Sequence, residues 1–327
     1  MLSTPWTELS GTAHPVVLGG MAQATAAGVV GEVSEAGGLG ILGCSRMSPR
    51  EIADAAAEIR RRTRKPFGLN LLLFRADGAA LDAVLAARPA VLSTAWAFPD
   101  QDLAPVFARA RAAGAKVLHM AATVAEARRA AEAGADAIAA QGTEGGGHVG
   151  LMGSMVLVPM AVRAVAPVPV LAAGGIATGA GLAAALALGA AGALLGTRFL
   201  ATPEAPLPDA LKRAILDSDG HDTLLTEIPD VAAGSVWPGA YSRVGRNRFV
   251  EEWTGREGEL RARRGEVGER MRRAYAEGDR AQAPLFYGQD AGLIDALEPA
   301  GEIVARLVRE AEEILARLSG REASPWK

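Results

Sequence analysis

The strongest constraint in this chain is an alternation. From Pro15 to about Leu200, short β-rich apolar runs take turns with Ala-rich helical runs, the pattern of repeated βα units around a parallel sheet. The runs predict eight strands, at Val16–Leu18, Leu39–Leu42, Phe67–Leu71, Val91–Ser93, Lys116–His119, Ala137–Ala140, Val170–Ala172 and Ala193–Leu195. Helices are expected between them near 23–36, 49–62, 78–87, 101–113, 123–133, 156–165 and 179–188. Thr123 and Thr178 are the clearest N-caps. Four phrases, EAGGLGIL, AAGAKVL, EAGADAI and ALGAAGALL, place a glycine after a helix and a strand two or three residues later. That is helix termination followed by a short αβ loop.

Eight such units close a barrel, whereas five or six leave an open sheet. The expected fold class is therefore α/β, a (β/α)₈ TIM barrel with a mainly helical C-terminal addition covering one end. The length of 327 residues suits such a barrel of roughly 250 residues with additions. Residues 1–200 would form the barrel, 201–283 a mainly helical lid region, and 284–327 a returning loop, PLFYGQDAG, with a final amphipathic helix at Ala300–Leu318. The stretch from Arg243 to Arg280 is dense in Arg and Glu with few strand signals. Its charge runs, such as Arg261–Arg264, read as solvated helix faces.

Composition removes several function classes. A formal net charge of -3 gives no electrostatic reason to expect nucleic acid or an anionic membrane as partner. The single cysteine, Cys44, ends an apolar run and reads as a buried structural residue. The N-terminus lacks the basic and apolar regions of a signal peptide, so a cytoplasmic protein is expected. Ala164–Thr197 carries no charge, yet Pro167, Pro169, Gly174-Gly175 and a high alanine content fit strand, helix, strand rather than a membrane span. No HExxH, paired CxxC or clustered carboxylates point to a metal, and no GxSxG or Walker lysine is present.

In a barrel of this kind, function sits at the carboxyl ends of the strands. Those ends are rich in glycine: Gly19-Gly20-Met21 after the first, Gln141 through Gly145-Gly146-Gly147-His148 after the sixth, Gly174-Gly175 after the seventh, Gly196-Thr197 after the eighth. Glycine lets backbone approach a ligand and leaves N–H groups free to bind oxygens, so a phosphorylated ligand is expected at the seventh and eighth ends. The same glycines also serve tight βα turns. Asn70 and Gln141 end otherwise apolar strands and offer donor and acceptor to the edge of a planar heterocycle, or to nearby loop backbone. Among four histidines, His148 lies in the glycine-rich loop and is the candidate general base. His119, from the fifth strand, is a second candidate at the same mouth.

The segments PVVLGGMA, AGGLGIL, PFGLN, VLSTAW, GADAIAAQGTEGGGH, AAGGIATGAGLAAALALGAAGALLGTRFLATPEA, RNRFVEEW and GQDAGLI together resemble the nitronate monooxygenase family, formerly 2-nitropropane dioxygenases. The resemblance runs over nearly the whole chain and implies non-covalent FMN. It carries flavin contacts to Gly20, Met21, Asn70, Gln141, Gly146, Gly174, Gly175, Leu194, Gly196 and Thr197, and makes Tyr287–Gln289 the returning loop near the ring. His148 takes the place of the family's catalytic base. The implied reaction oxidises an alkyl nitronate, or a nitroalkane after deprotonation, with O2 to a carbonyl compound and nitrite. A second implied reading is an NAD(P)H-dependent reductase of a quinone or enoyl thioester. Gln141, where the enoyl reductases tend to carry an acid, leans toward the first. A third reading, from another class, is a catalytically idle barrel acting as a subunit or as a binder of a phosphorylated metabolite, which predicts a colourless protein. The chain reads LGGMAQ and EGGGHVG where members commonly read QAPMAG and EAGGHRG, so the substrate pocket is its own. A homodimer stays open on these residues.

Overall fold

The computed structural model describes residues 2–320. Eight parallel strands close a barrel: β1 (Val16–Leu18), β2 (Leu39–Gly43), β3 (Phe67–Leu72), β4 (Val91–Ala95), β5 (Lys116–Ala121), β6 (Ala137–Gln141), then, after an intervening strand β7 (Gly147–Val149), β8 (Val170–Ala173) and β9 (Gly192–Leu195). Pairing of Val16, Val17 and Leu18 with Ala193, Leu194 and Leu195 completes the circle. The seventh and eighth strands expected from the sequence are thus β8 and β9.

The local chemistry accounts for the unit repeat. Thr123 accepts from the Glu126 amide in a capping box, Ser48 does the same for the helix Pro49–Arg62, and Thr178 caps Gly179–Ala187. The glycines of the four recurring phrases, Gly37, Gly114, Gly134 and Gly189, all lie at φ between 83° and 95°. The amides that follow them bond back across the helix end, as in Ala115 N to Ala110 O at 3.0 Å and Ala190 N to Ala185 O at 3.0 Å. The helix Gly78–Ala86 ends the same way with Arg88 at φ 49°, a position where no glycine signal existed.

Alternation along each strand sorts the core into two shells. Val17, Leu39, Ile41, Val91, Leu118, Ala137, Ala139 and Leu171 fill the barrel interior, closed from the amino-terminal end by Trp6 of the helix Pro5–Ser10. Val16, Leu69, Leu92, Val117 and Ile138 point outward to the helices. The final helix, Ala300–Leu318, packs on Gly179–Ala187 and Ala27–Glu35, where the Gly179 amide donates to Glu310 Oε2 at 2.9 Å. Among the described residues no helix is long and apolar enough to cross a membrane.

The C-terminal addition carries helices at Asp209–Leu216, Ile228–Ala233, Arg248–Trp253, Glu257–Ala262 and Arg264–Glu277, with a core of Ile228, Val244, Phe249, Trp253, Leu260 and Val267. It also holds two strands, β10 (Thr223–Thr226) and β11 (Tyr241–Gly245), in a small antiparallel sheet of order β10-β11-β7. Of the expected third region, 284–327, residues 321–327 lie outside the described residues.

Candidate active site

The strand ends bring the sequence candidates to one mouth. Asn70, Ser93, Gln141 and Leu194 share the inward parity of the interior apolar residues, so the topmost inner layer of the barrel is partly polar. Asn70 Nδ2 donates to Ser93 Oγ at 3.0 Å, which orients the amide. A Cβ on Gly20 would stand 2.4 Å from Asn70 Cβ, and one on Gly196 would meet Met21 Sδ at 3.3 Å. First, third and ninth strands therefore meet around Gly20, Asn70, Met21 and Gly196.

A second set continues from there. Gly288 N donates to Thr197 Oγ1 at 2.9 Å, and Gln289 N donates to Glu144 O at 2.9 Å. Gly146 lies so close to the returning loop that a Cβ would fall 2.5 Å from Gly288 N. Gln289 holds that loop by its backbone while its side chain is exposed. Gly174, at φ 89°, would place a Cβ 2.8 Å from Gly142 O, so the two glycine-rich loops touch. Glu144 fixes the first of them by accepting from Ser154 N at 3.0 Å and Ser154 Oγ at 2.9 Å, standing in as the cap of the helix Ser154–Val165. Arg243 fixes it from above, its Nε donating to Thr143 O at 2.7 Å.

What this rim offers a ligand is hydrogen-bond donors. Among the described residues no backbone or side-chain acceptor pairs with the amides of Gly174, Gly175, Gly196 or Thr197. Gln141 Oε1 is buried without a partner. Convergent free amides suit a phosphate dianion, and an unpaired inward carboxamide suits the heteroatom edge of a ring. The residues present fit FMN. Beneath them Asp290 is buried, one oxygen unpartnered, and burial pushes its carboxyl up to about 7 against the pull of Thr197 and Arg198.

His148 stands two residues beyond Gly146, but on strand β7 rather than in a mobile loop: β7 pairs with β11, Ser242 opposite His148. Its Nε2 lies 2.9 and 3.1 Å from the two Asp230 oxygens and 3.1 Å from Ser242 Oγ. Ser242 Oγ in turn donates to Asp230 Oδ2 at 2.7 Å. A carboxylate only accepts, so the proton resides on Nε2 and the lone pair on Nδ1. Trp237 stacks on the imidazole, centroids 3.3 Å apart and planes 13° from parallel. With Trp96 and Phe74 it forms an aromatic cluster above the ends of β3 and β4. The side chains of His148 and Asp230 are 12% and 13% exposed, enough for a ligand to reach the ring while bulk water is largely excluded.

His119 does not belong to this mouth. It shares the outward parity of Val117 and Ala121, packs at 5.7 Å against Phe107 and bonds Thr94 Oγ1 at 2.8 Å; burial holds its pKa down to about 3. The alternation with Leu118 was the signal that assigns it outward. Asp230, Ser242 and Trp237, which contact His148, were missed by the sequence reading. Asp230 and His148 are 82 positions apart, and no local pattern joins them. Cys44 is buried and its thiol pushed up to about 12 by desolvation, consistent with a structural residue.

With a closed βα barrel and glycine amides gathered at its carboxyl mouth, the chain falls among the barrel oxidoreductases. The chain belongs to the nitronate monooxygenase family, whose model matches residues 3–83 and 76–310. It is 42% identical over 254 residues to the (3aS,4S,5R,7aS)-5-hydroxy-7a-methyl-1-oxo-octahydro-1H-indene-4-carboxyl-CoA dehydrogenase of Mycobacterium tuberculosis, a match that covers 77% of this chain and 68% of that protein. Among solved structures it is similar to FabK from Thermotoga maritima, with TM-score 0.88, 34% identity and coverage of 98% and 100% of the two chains. It is also similar to the nitroalkane oxidase of Streptomyces ansochromogenes, with TM-score 0.82, 30% identity and coverage of 96% and 100%.

Proposed function

We propose that the protein is an FMN-dependent oxidoreductase acting on an acyl thioester of the CoA type, with His148 as the acid-base group at the carbon beside the thioester carbonyl. The observation that carries the chemistry is the Asp230–His148 pair, which engages Nε2 and leaves the lone pair of the imidazole on Nδ1. Gly174, Gly175, Gly196 and Thr197 would hold the phosphate of FMN, and Asn70, Gln141, Gly20, Met21, Gly146 and Leu194 would surround its ring. Bound there, FMN supplies the two-electron redox chemistry. His148 takes a proton from the α-carbon or returns it, Asp230 stabilises the imidazolium formed in between, and the Trp237 cluster excludes water. The thioester class is supported by the 42% identical relative, whose name states a CoA substrate.

A second reading, oxidation of an alkyl nitronate or nitroalkane by O2 with the same base, is favoured by the family itself and by the likeness to a nitroalkane oxidase. A nitroalkane, like an acyl thioester, needs a base at a carbon acidified by a neighbouring acceptor, whereas a nitronate arrives already deprotonated, so one site serves either. Stopped-flow mixing of the FMN-loaded protein without oxygen separates them. Bleaching by an acyl-CoA, or by NAD(P)H followed by reoxidation with an enoyl-CoA, supports the thioester reading. Reduction by a nitronate alone, with nitrite released once oxygen is admitted, replaces it with the second.

A further inference from the structure

Beside the catalytic histidine, on the addition, lies a cavity of about 240 Å³ whose walls include Asp230, Ser235, Trp237, Glu227, Arg261 and Arg264. That volume is well above the roughly 10–15 Å³ that one water needs. Trp237 is shared: one face stacks on His148, and the residue also lines the cavity. Trp237 and Asp230 each touch both this space and the imidazole.

The charge around it is uneven. Arg75, following β3, donates to Ser235 Oγ at 2.7 Å and lies 5.6 Å from the Trp237 ring, so it brackets the same wall as Arg261 and Arg264. On the helical layer that carries Arg261 and Arg264, the neighbours Arg256, Arg263, Arg270 and Arg273 are paired with Glu259, Glu266, Glu252 and Glu269. Among the described residues, Arg75, Arg261 and Arg264 have no carboxylate within ion-pair distance. Of the two acids lining the cavity, Asp230 bonds His148 and Ser242 and also attracts Arg75, whose other charged neighbour is Arg46, which leaves Glu227 as the acid that shares the lining with Arg261 and Arg264. Guanidinium forks match phosphate oxygens two at a time, and this arrangement selects phosphate over a neutral group.

We propose that this cavity is a subsite for a phosphorylated nucleotide tail, gripped by Arg75, Arg261 and Arg264, with the reactive end of the same molecule passing the edge of Trp237 to His148. The inference rests on the thioester reading for the nature of the reactive end. The tail chemistry itself is shared by the nucleotide of CoA and by that of a pyridine dinucleotide. The charge run that includes Arg261 and Arg264 is then more than a solvated helix face.

The test is calorimetric titration of the FMN-loaded protein and of an Arg261→Ser/Arg264→Ser variant with free CoA, with NADPH, and with an N-acetylcysteamine thioester that lacks phosphate. Both arginines are exposed, so the variant is expected to keep its melting temperature. The expected result is that CoA binding weakens by roughly 30- to 100-fold in the variant while the phosphate-free thioester binds both proteins alike. The same loss for NADPH in place of CoA also supports the subsite and assigns the tail to the reductant. Equal binding of CoA and NADPH to the two proteins, or no binding to either, overturns the proposal. Turnover of acyl-CoA with a KM indifferent to the two arginines would sink the subsite and leave the reaction standing. Arginine-dependent CoA binding without thioester turnover would do the reverse.

Discussion

Replacing Asp230 by Asn removes the charge that holds a proton on His148 Nε2, and the amide can present its NH2 to that nitrogen, favouring the other tautomer. We expect Asp230→Asn to keep its flavin and lose about 100-fold in kcat with a much smaller change in KM, as befits a residue that acts through another. An unchanged kcat and pH profile would remove Asp230 from the chemistry. Asp290 makes a prediction of opposite kind. An acid raised from 3.8 to about 7 by burial favours the folded chain while protonated, and that contribution is lost as pH climbs through this window. Asp290→Asn should therefore melt at the same temperature as the parent near the acid end and progressively higher above it, with the gap levelling off beyond the upper value. A gap that is constant with pH would show the carboxyl to be ionised throughout. Residue chemistry was only partly legible in the sequence. The glycines and Gln141 announce themselves because they interrupt apolar strands, whereas Asp230 sits in IPDVAAG with nothing nearby to mark it.

At the scale of elements, the strands and the glycine-ended helices were legible because both signals are local: apolar runs of fixed length, and a left-handed glycine at four of the helix exits. The structure extends β2, β3, β4, β5, β6 and β8 one or two residues past their expected carboxyl ends. Strands β7, β10 and β11 were not legible. Gly147–Val149 is three residues long and begins with glycine, and it is extended only because β11 pairs with it across some hundred residues of sequence. That tertiary pairing changes His148 from a loop residue into one held on a sheet. The contact between the two glycine-rich loops yields a prediction. A Cβ at Gly174, at φ 89°, would press on Gly142 O and Gly145 N. Gly174→Ala should weaken FMN binding about 10-fold or more and lower the melting temperature, while Gly258→Ala, with open space around it, should alter neither. FMN affinity that survives Gly174→Ala would place the phosphate elsewhere.

For the whole molecule, closure of β1 on β9 is what turns separate strand ends into one site, and the addition completes it. The barrel supplies the amides and the inward polar layer. The addition supplies Asp230, Trp237 and Ser242, so the groups around His148 come together only through contacts between barrel and addition. A count of eight βα units was enough to predict the barrel, but not how the addition folds over its mouth, since that depends on contacts among distant segments. The central claim is that unpaired amides from β8 and β9 grip a phosphate while the inner layer takes a flavin ring. Fluorescence titration of the apoprotein with FMN and with riboflavin, identical except for that phosphate, tests it most directly. One tight equivalent of FMN is expected, with riboflavin binding weaker by about 100-fold or more. Equal affinity for the two, or no binding of FMN, would contradict it.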